Sequence, residues 1–124
     1  MDEALWNTLT ADPGVSAIVG TSVYWSEYPQ GAAVPAIVLN IVSGADQPTL
    51  QGTDQVWTYR VQIDCYAINR PQVRQLSRAV IDCLNGYRAG GILGAFIISQ
   101  RDLSAEVDAT AHRYSMDFSI VHRG

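Results

Sequence analysis

Val56-Trp57-Thr58-Tyr59-Arg60-Val61-Gln62-Ile63-Asp64-Cys65-Tyr66 sets Trp57, Tyr59, Val61, Ile63 and Cys65 against Thr58, Arg60, Gln62 and Asp64. Thr110–His122 repeats the design, with Tyr114, Met116, Phe118 and Ile120 alternating with Arg113, Ser115, Asp117 and Ser119. Successive side chains of a strand point to opposite faces, so both stretches read as long strands with one apolar face. The other face carries hydrogen-bonding groups and both charge signs, which excludes a second hydrophobic core and leaves water or another protein as its neighbour. Within each strand the two charges stand four residues apart. Antiparallel neighbours would therefore pair Arg60 with Asp117 and Asp64 with Arg113.

The remaining elements arrange themselves around these strands. Leu5 and Leu9, four apart after Asp2 and Glu3, mark a short first helix over residues 2–11, its acidic start suited to the positive end of the helix dipole. Asp12-Pro13-Gly14 breaks it, and Val15–Val19 forms one further turn before Gly20. Ser22–Ser26 is a strand, and Tyr28-Pro29-Gln30-Gly31 turns the chain before Pro35. Ala36–Ser43, apolar on both parities, reads as an interior strand. Gly44–Gln55 is a long connection for a strand-to-strand link, where two to five residues are usual, and such loops commonly carry function.

A second helix starts after the cap residue Asn69, with Pro71 in its first turn, and stops at Gly86. Its stripe of Val73, Leu76, Val80, Cys83 and Leu84 covers the sheet, while Arg74, Arg78 and Asp82 fall at four-residue steps on the far side. Ile92–Gln100 is a strand and Arg101–Ala109 a polar loop. The expected fold is a single α+β domain over residues 1–124: a mostly antiparallel or mixed sheet of about five strands with two helices packed on one face.

Composition narrows the function classes. The 124 residues are 48% hydrophobic with a formal charge of −4, and all eight basic residues are Arg. That balance argues against a surface that grips nucleic acid through many phosphates. The sequence holds no run of 18 apolar residues, and Met1-Asp2-Glu3 lacks the basic opening of a secretory signal, so a soluble intracellular protein is expected. Cys65 and Cys83 read as buried small hydrophobes, with a disulfide possible but unneeded.

The sequence carries no catalytic or cofactor constellation. His112 and His122 lie ten residues apart on one strand, roughly 33 Å at ~3.3 Å per residue, too far to share a metal ion. No Gly-x-Ser-x-Gly elbow occurs, and Gly90-Gly91-Ile92-Leu93-Gly94 lacks the lysine and the strand-to-helix setting of a phosphate loop. Glu106 and Asp108 sit in a polar loop, where solvation accounts for them. No catalytic residue, no metal and no cofactor are expected.

The order of several short motifs carries a resemblance. The chain offers an N-terminal helical region ending near Gly20, Val23-Tyr24, Pro29-Gln30-Gly31, Pro35 and Ser43-Gly44. Thr49-Leu50-Gln51-Gly52, the strand Tyr59–Ala67, a helix over 71–85 and Met116-Asp117-Phe118-Ser119-Ile120 follow. In that succession the chain resembles the tail completion or tail terminator proteins of long-tailed bacteriophages and phage-derived particles, over nearly its whole length. The resemblance implies a non-enzymatic subunit of the virion tail, assembled in the host cytoplasm. It implies a ring, commonly a hexamer, on the head-proximal end of the tail tube, which stops tube polymerisation and docks the head connector. DNA would pass through the ring without specific binding.

On that expectation Arg60, Gln62, Asp64, Arg113 and Asp117 form a subunit interface, since opposite charges fix register between partners. Asp46, Gln47, Thr49, Leu50, Gln51 and Asp54 form a contact loop for the tail tube or a neighbouring subunit, with Leu50 outside the sheet as its apolar anchor. Two alternatives stand beside this reading: another ring component of the head-to-tail joint, or a small-ligand-binding or enzymatic α+β domain whose polar sheet face is a pocket.

Overall fold

In a computed structural model describing residues 2–26, 35–42, 49–51, 56–89, 91–102 and 112–123, the chain begins with α1 (Asp2–Ala11) and α2 (Pro13–Val19). It continues through β1 (Val23–Trp25), β2 (Ala36–Ile41), β3 (Thr49–Gln51), β4 (Val56–Ala67), α3 (Arg70–Leu84), β5 (Ile92–Asp102) and β6 (His112–Arg123). Five strands follow the order β1-β2-β4-β6-β5, and the short β3 joins β4 as a sixth. The sheet is mixed, because β1 runs parallel to β2 while the other neighbours are antiparallel. Its centre is the β4–β6 pair, in register from Val56 opposite Arg123 to Ala67 opposite His112. β2 is an interior strand, as its two apolar parities require.

All three described helices lie on the apolar face of the sheet. Leu5 and Leu9 of α1, Val15 and Val19 of α2, and Val73, Leu76, Val80 and Leu84 of α3 meet Val61, Ile63, Cys65, Met116, Phe118 and Ile120 in one core. Asn69 caps α3 by accepting a hydrogen bond from the Gln72 amide at 2.8 Å, and Gly86 at φ +82° ends the turn beyond it.

Three details differ from the sequence expectation. The helical layer holds three helices where two were expected: the Asp12 carboxylate accepts from the Val15 amide at 3.0 Å and Pro13 opens the first turn, so the segment up to Val19 is a capped helix. β5 runs on to Asp102, which takes Arg101 and Asp102 out of the expected loop and into the ladder beside Ser115 and Tyr114. The third difference concerns Gly44–Gln55. Thr49, Leu50 and Gln51 pair antiparallel with Thr58, Trp57 and Val56, so Leu50 lies in the sheet instead of outside it.

β2 and β3 thus lie along the same side of β4. The Val42 amide donates to the Arg60 carbonyl at 2.9 Å, and Thr49 stands opposite Thr58. Between these two points β4 advances two residues and the sequence from Val42 to Thr49 advances seven. Asp46, Gln47 and Asp54, like the turn at Tyr28–Gly31 and the Glu106–Asp108 pair, lie outside the described residues.

Candidate assembly face

On the face of the sheet opposite the described helices, β4 contributes Thr58, Arg60, Gln62, Asp64 and Tyr66, and β6 contributes Arg113, Ser115, Asp117 and Ser119. The strand register brings together the two ion pairs that the spacing of four implied. Nη2 of Arg60 donates to Oδ2 of Asp117 at 3.0 Å, and Nη2 of Arg113 donates to Oδ2 of Asp64 at 2.9 Å. Gln62 completes the second pair, its Nε2 donating to both Asp64 oxygens at 3.2 and 3.1 Å. The five residues expected at a subunit interface therefore fall into two adjacent hydrogen-bonded groups, Arg60 with Asp117, and Gln62 and Arg113 with Asp64.

Burial is unequal across each pair. The carboxylate side chains of Asp64 and Asp117 are 4% and 7% exposed, while those of Arg113 and Arg60 keep 24% and 38%. The carboxylates are enclosed, while the arginines that bond them keep part of their surface toward water. The Arg113 guanidinium also stands 5.8 Å from the centroid of the Tyr66 ring. Burial raises the Tyr66 phenol above its ordinary value, and the Arg113 charge opposes that rise. Asp64 accepts hydrogen bonds at both oxygens inside one subunit, whereas Asp117 accepts only at Oδ2 and its buried Oδ1 finds no hydrogen-bond partner among the described residues.

β5 supplies two features that sequence reasoning missed. Ser99 donates to Oδ2 of Asp117 at 3.4 Å, and Nη1 of Arg101 lies 4.0 Å from the same oxygen. Three arginines thus face two aspartates on this surface. Phe96, opposite Ser119 on the same face, is 55% exposed. Strict alternation puts Phe96 on the parity of Ile92, which is buried in the core, but a register shift between Ile92 and Gly94 reverses the parity. The available signal was Gly94, a residue that marks bulges inside strands. A Cβ there would sit 2.9 Å from Cε2 of Phe96, so the ring lies directly over the glycine.

Of the contact-loop residues, Thr49, Leu50 and Gln51 form β3, on the side of β4 that β2 also occupies. Among the described residues no group of three His, Cys, Asp or Glu side chains is placed to hold a metal ion. Cys65 and Cys83 are both free. Burial pushes the Cys83 thiol up to about 12 and raises Cys65 further, so neither has the lowered pKa of a reactive thiol. His112 is half-buried at the start of β6. His122, at the other end, sits under Gly91, whose added Cβ would come within 3.0 Å of Nε2. No described helix is long and apolar enough to cross a membrane.

Comparison with known proteins bears on this geometry. The chain matches a chain of the virion of a native gene transfer agent particle with a TM-score of 0.74, at 21% identity, over 97% of this chain and 92% of that one. A comparison with curated proteins finds no match. The family profile described as tail completion protein gp17 matches residues 3–123. With a match spanning all but the terminal residues, the chain belongs to the tail completion protein gp17 family, as a structural component of the virion tail.

Proposed function

We propose that the protein is a tail terminator: copies close into a ring, commonly a hexamer in this class, on the head-proximal end of the tail tube. The ring stops tube polymerisation and offers a docking surface to the head connector, and DNA passes through it without specific binding. The protein works by assembly and catalyses no reaction. The observation that carries this reading is the sheet face opposite the helices, where Arg60 bonds Asp117, Arg113 bonds Asp64 and Phe96 stands exposed beside them. Buried, paired polar groups of this kind fix geometry, and an exposed aromatic is a common anchor at a protein contact.

In this scheme Arg60, Gln62, Asp64, Arg113 and Asp117 shape the subunit interface. Residues 46–54, including Asp46, Gln47, Thr49, Leu50, Gln51 and Asp54, meet the tube or the neighbouring subunit. A ring contact joins two different surfaces of identical subunits and closes only when the rotation between them is right. Native mass spectrometry of the purified chain with tail-tube subunits tests the reading: a stoichiometric ring is expected. A chain that stays monomeric and ignores the tube protein would overturn it.

A further inference from the structure

Three of the eight arginines form a row on α3. Arg70, Arg74 and Arg78 are exposed at four-residue steps along its outer side. They line a groove of about 560 Å³ between α3 and the adjoining ends of β5 and β6, whose opposite wall is Gln100, Asp102 and Tyr114. Arg70 is 3.6 Å from Asp102, and the Tyr114 hydroxyl donates to Oε1 of Gln100 at 2.7 Å. Among the described residues no carboxylate lies within 4.0 Å of Arg74 or Arg78. Two guanidinium groups therefore project into a concave surface with an apolar floor of Val73 and Ile81.

We infer that this α3 groove is a seam between copies of the chain, in which Arg74 and Arg78 receive acidic surface of the neighbouring subunit. The argument is charge complementarity. Each copy carries a formal charge of −4, so subunits brought together repel unless a basic patch of one faces an acidic patch of the next. Arg60, Arg101 and Arg113 already serve Asp64 and Asp117, and Arg70 faces Asp102. Among the described residues Arg74 and Arg78 are the adjacent arginines on α3 with no ion-pair partner. A nucleic-acid backbone is the poorer occupant, because Asp82 and Asp102 border the same groove and repel phosphate. The planar fork of arginine suits a carboxylate presented by a protein.

The inference rests on the ring reading, and the experiment separates the two. Wild type, R74E/R78E and the control R88E/R123E, which changes the net charge equally at exposed sites outside the groove, are each mixed with tail-tube subunits. Ring formation is followed by native mass spectrometry, and folding by thermal melts. Both variants should melt as wild type does, since all four side chains are exposed. R74E/R78E should need on the order of tenfold higher concentration to form rings, and the control should shift much less. Rings forming equally well in R74E/R78E would overturn the seam and leave the ring standing. Absence of rings in wild type would remove both. Duplex DNA retarded by wild type but not by R74E/R78E would assign the groove to phosphates and overturn the inference.

Discussion

The two faces of the β4–β6 pair share one backbone and one register, yet they are held together by different physics. On the helix side Val61, Ile63, Met116, Phe118 and Ile120 are fully buried among apolar neighbours, where non-directional burial sets the energy and any well-shaped hydrophobe would serve. On the open side Asp64 and Asp117 are nearly as buried, but each depends on named donors at 2.9–3.4 Å. The first face supplies stability. The second costs desolvation that its hydrogen bonds offset, and what it contributes is a defined surface.

The comparison breaks most visibly at the core. Phe118 is fully buried, so Phe118→Ala should lower the free energy of unfolding by about 3–5 kcal/mol in urea titrations. A wild-type denaturation midpoint in that variant would mean that β6 presents the other parity to the helices. On the open face Asp117→Ala removes the acceptor shared by Arg60 and Ser99, and should cost about 1–3 kcal/mol. Because Arg113 remains partly solvated, a double-mutant cycle on Asp64 and Arg113 should return a smaller coupling of about 0.5–1 kcal/mol. Zero coupling together with an unchanged Asp117→Ala midpoint would reduce the face to an ordinary solvated surface.

A third contrast lies in pH. The Cys65 thiol has its pKa raised above 9.0 by burial, and the negative charge of Asp64 adds to the rise. The folded state therefore keeps a proton that the unfolded chain loses once the pH passes its own thiol value. The stabilising protonation is fully present below about pH 9 and is lost as the pH climbs toward the folded value, by at most about 1.4 kcal/mol per unit from this group. Tyr66 and Tyr114, also raised by burial, steepen the slope above pH 10. Stability measured at pH 8 and pH 10.5 should fall accordingly, and a flat profile would place the thiol in solvent. Alkylation at pH 8 should proceed slowly at Cys83 and reach Cys65 only on unfolding.

Much of this contrast was legible in the sequence, and the reason is periodicity. An uninterrupted alternation over β4 and β6 fixes which side chains share a face, and the spacing of four between Arg and Asp in each strand fixes the cross-strand partners once they are antiparallel. The readings failed where the period changes. At β5 a register shift between Ile92 and Gly94 carries Phe96 to the open face, where no count by twos finds it; a second shift between Ile97 and Ser99 restores the first parity, and Arg101 was missed because the strand runs further than its apolar stretch. At Thr49–Gln51 a strand of three residues is too short to show an alternation, so its pairing with Val56–Thr58 emerges only from the hairpin geometry. α2 was foreshadowed by its cap, Asp12-Pro13, but its seven residues are too few to show a convincing apolar stripe.

The smallest predicted effect separates stability from assembly. Arg70 and Asp102 are exposed to 64% and 35% at a separation of 3.6 Å, the kind of pair whose attraction is largely screened by water. Asp102→Asn should therefore move the unfolding free energy by no more than about 0.5 kcal/mol. The same change removes one of the carboxylates bordering the α3 groove and leaves all three arginines in place. If the groove receives acidic surface of a neighbouring copy, this variant should keep its rings at higher salt than wild type, because the seam has become more basic at unchanged fold stability. Rings that dissociate at lower salt in Asp102→Asn would show that Asp102 itself serves the contact, and would turn the groove from a basic receptor into one side of a mixed-charge seam.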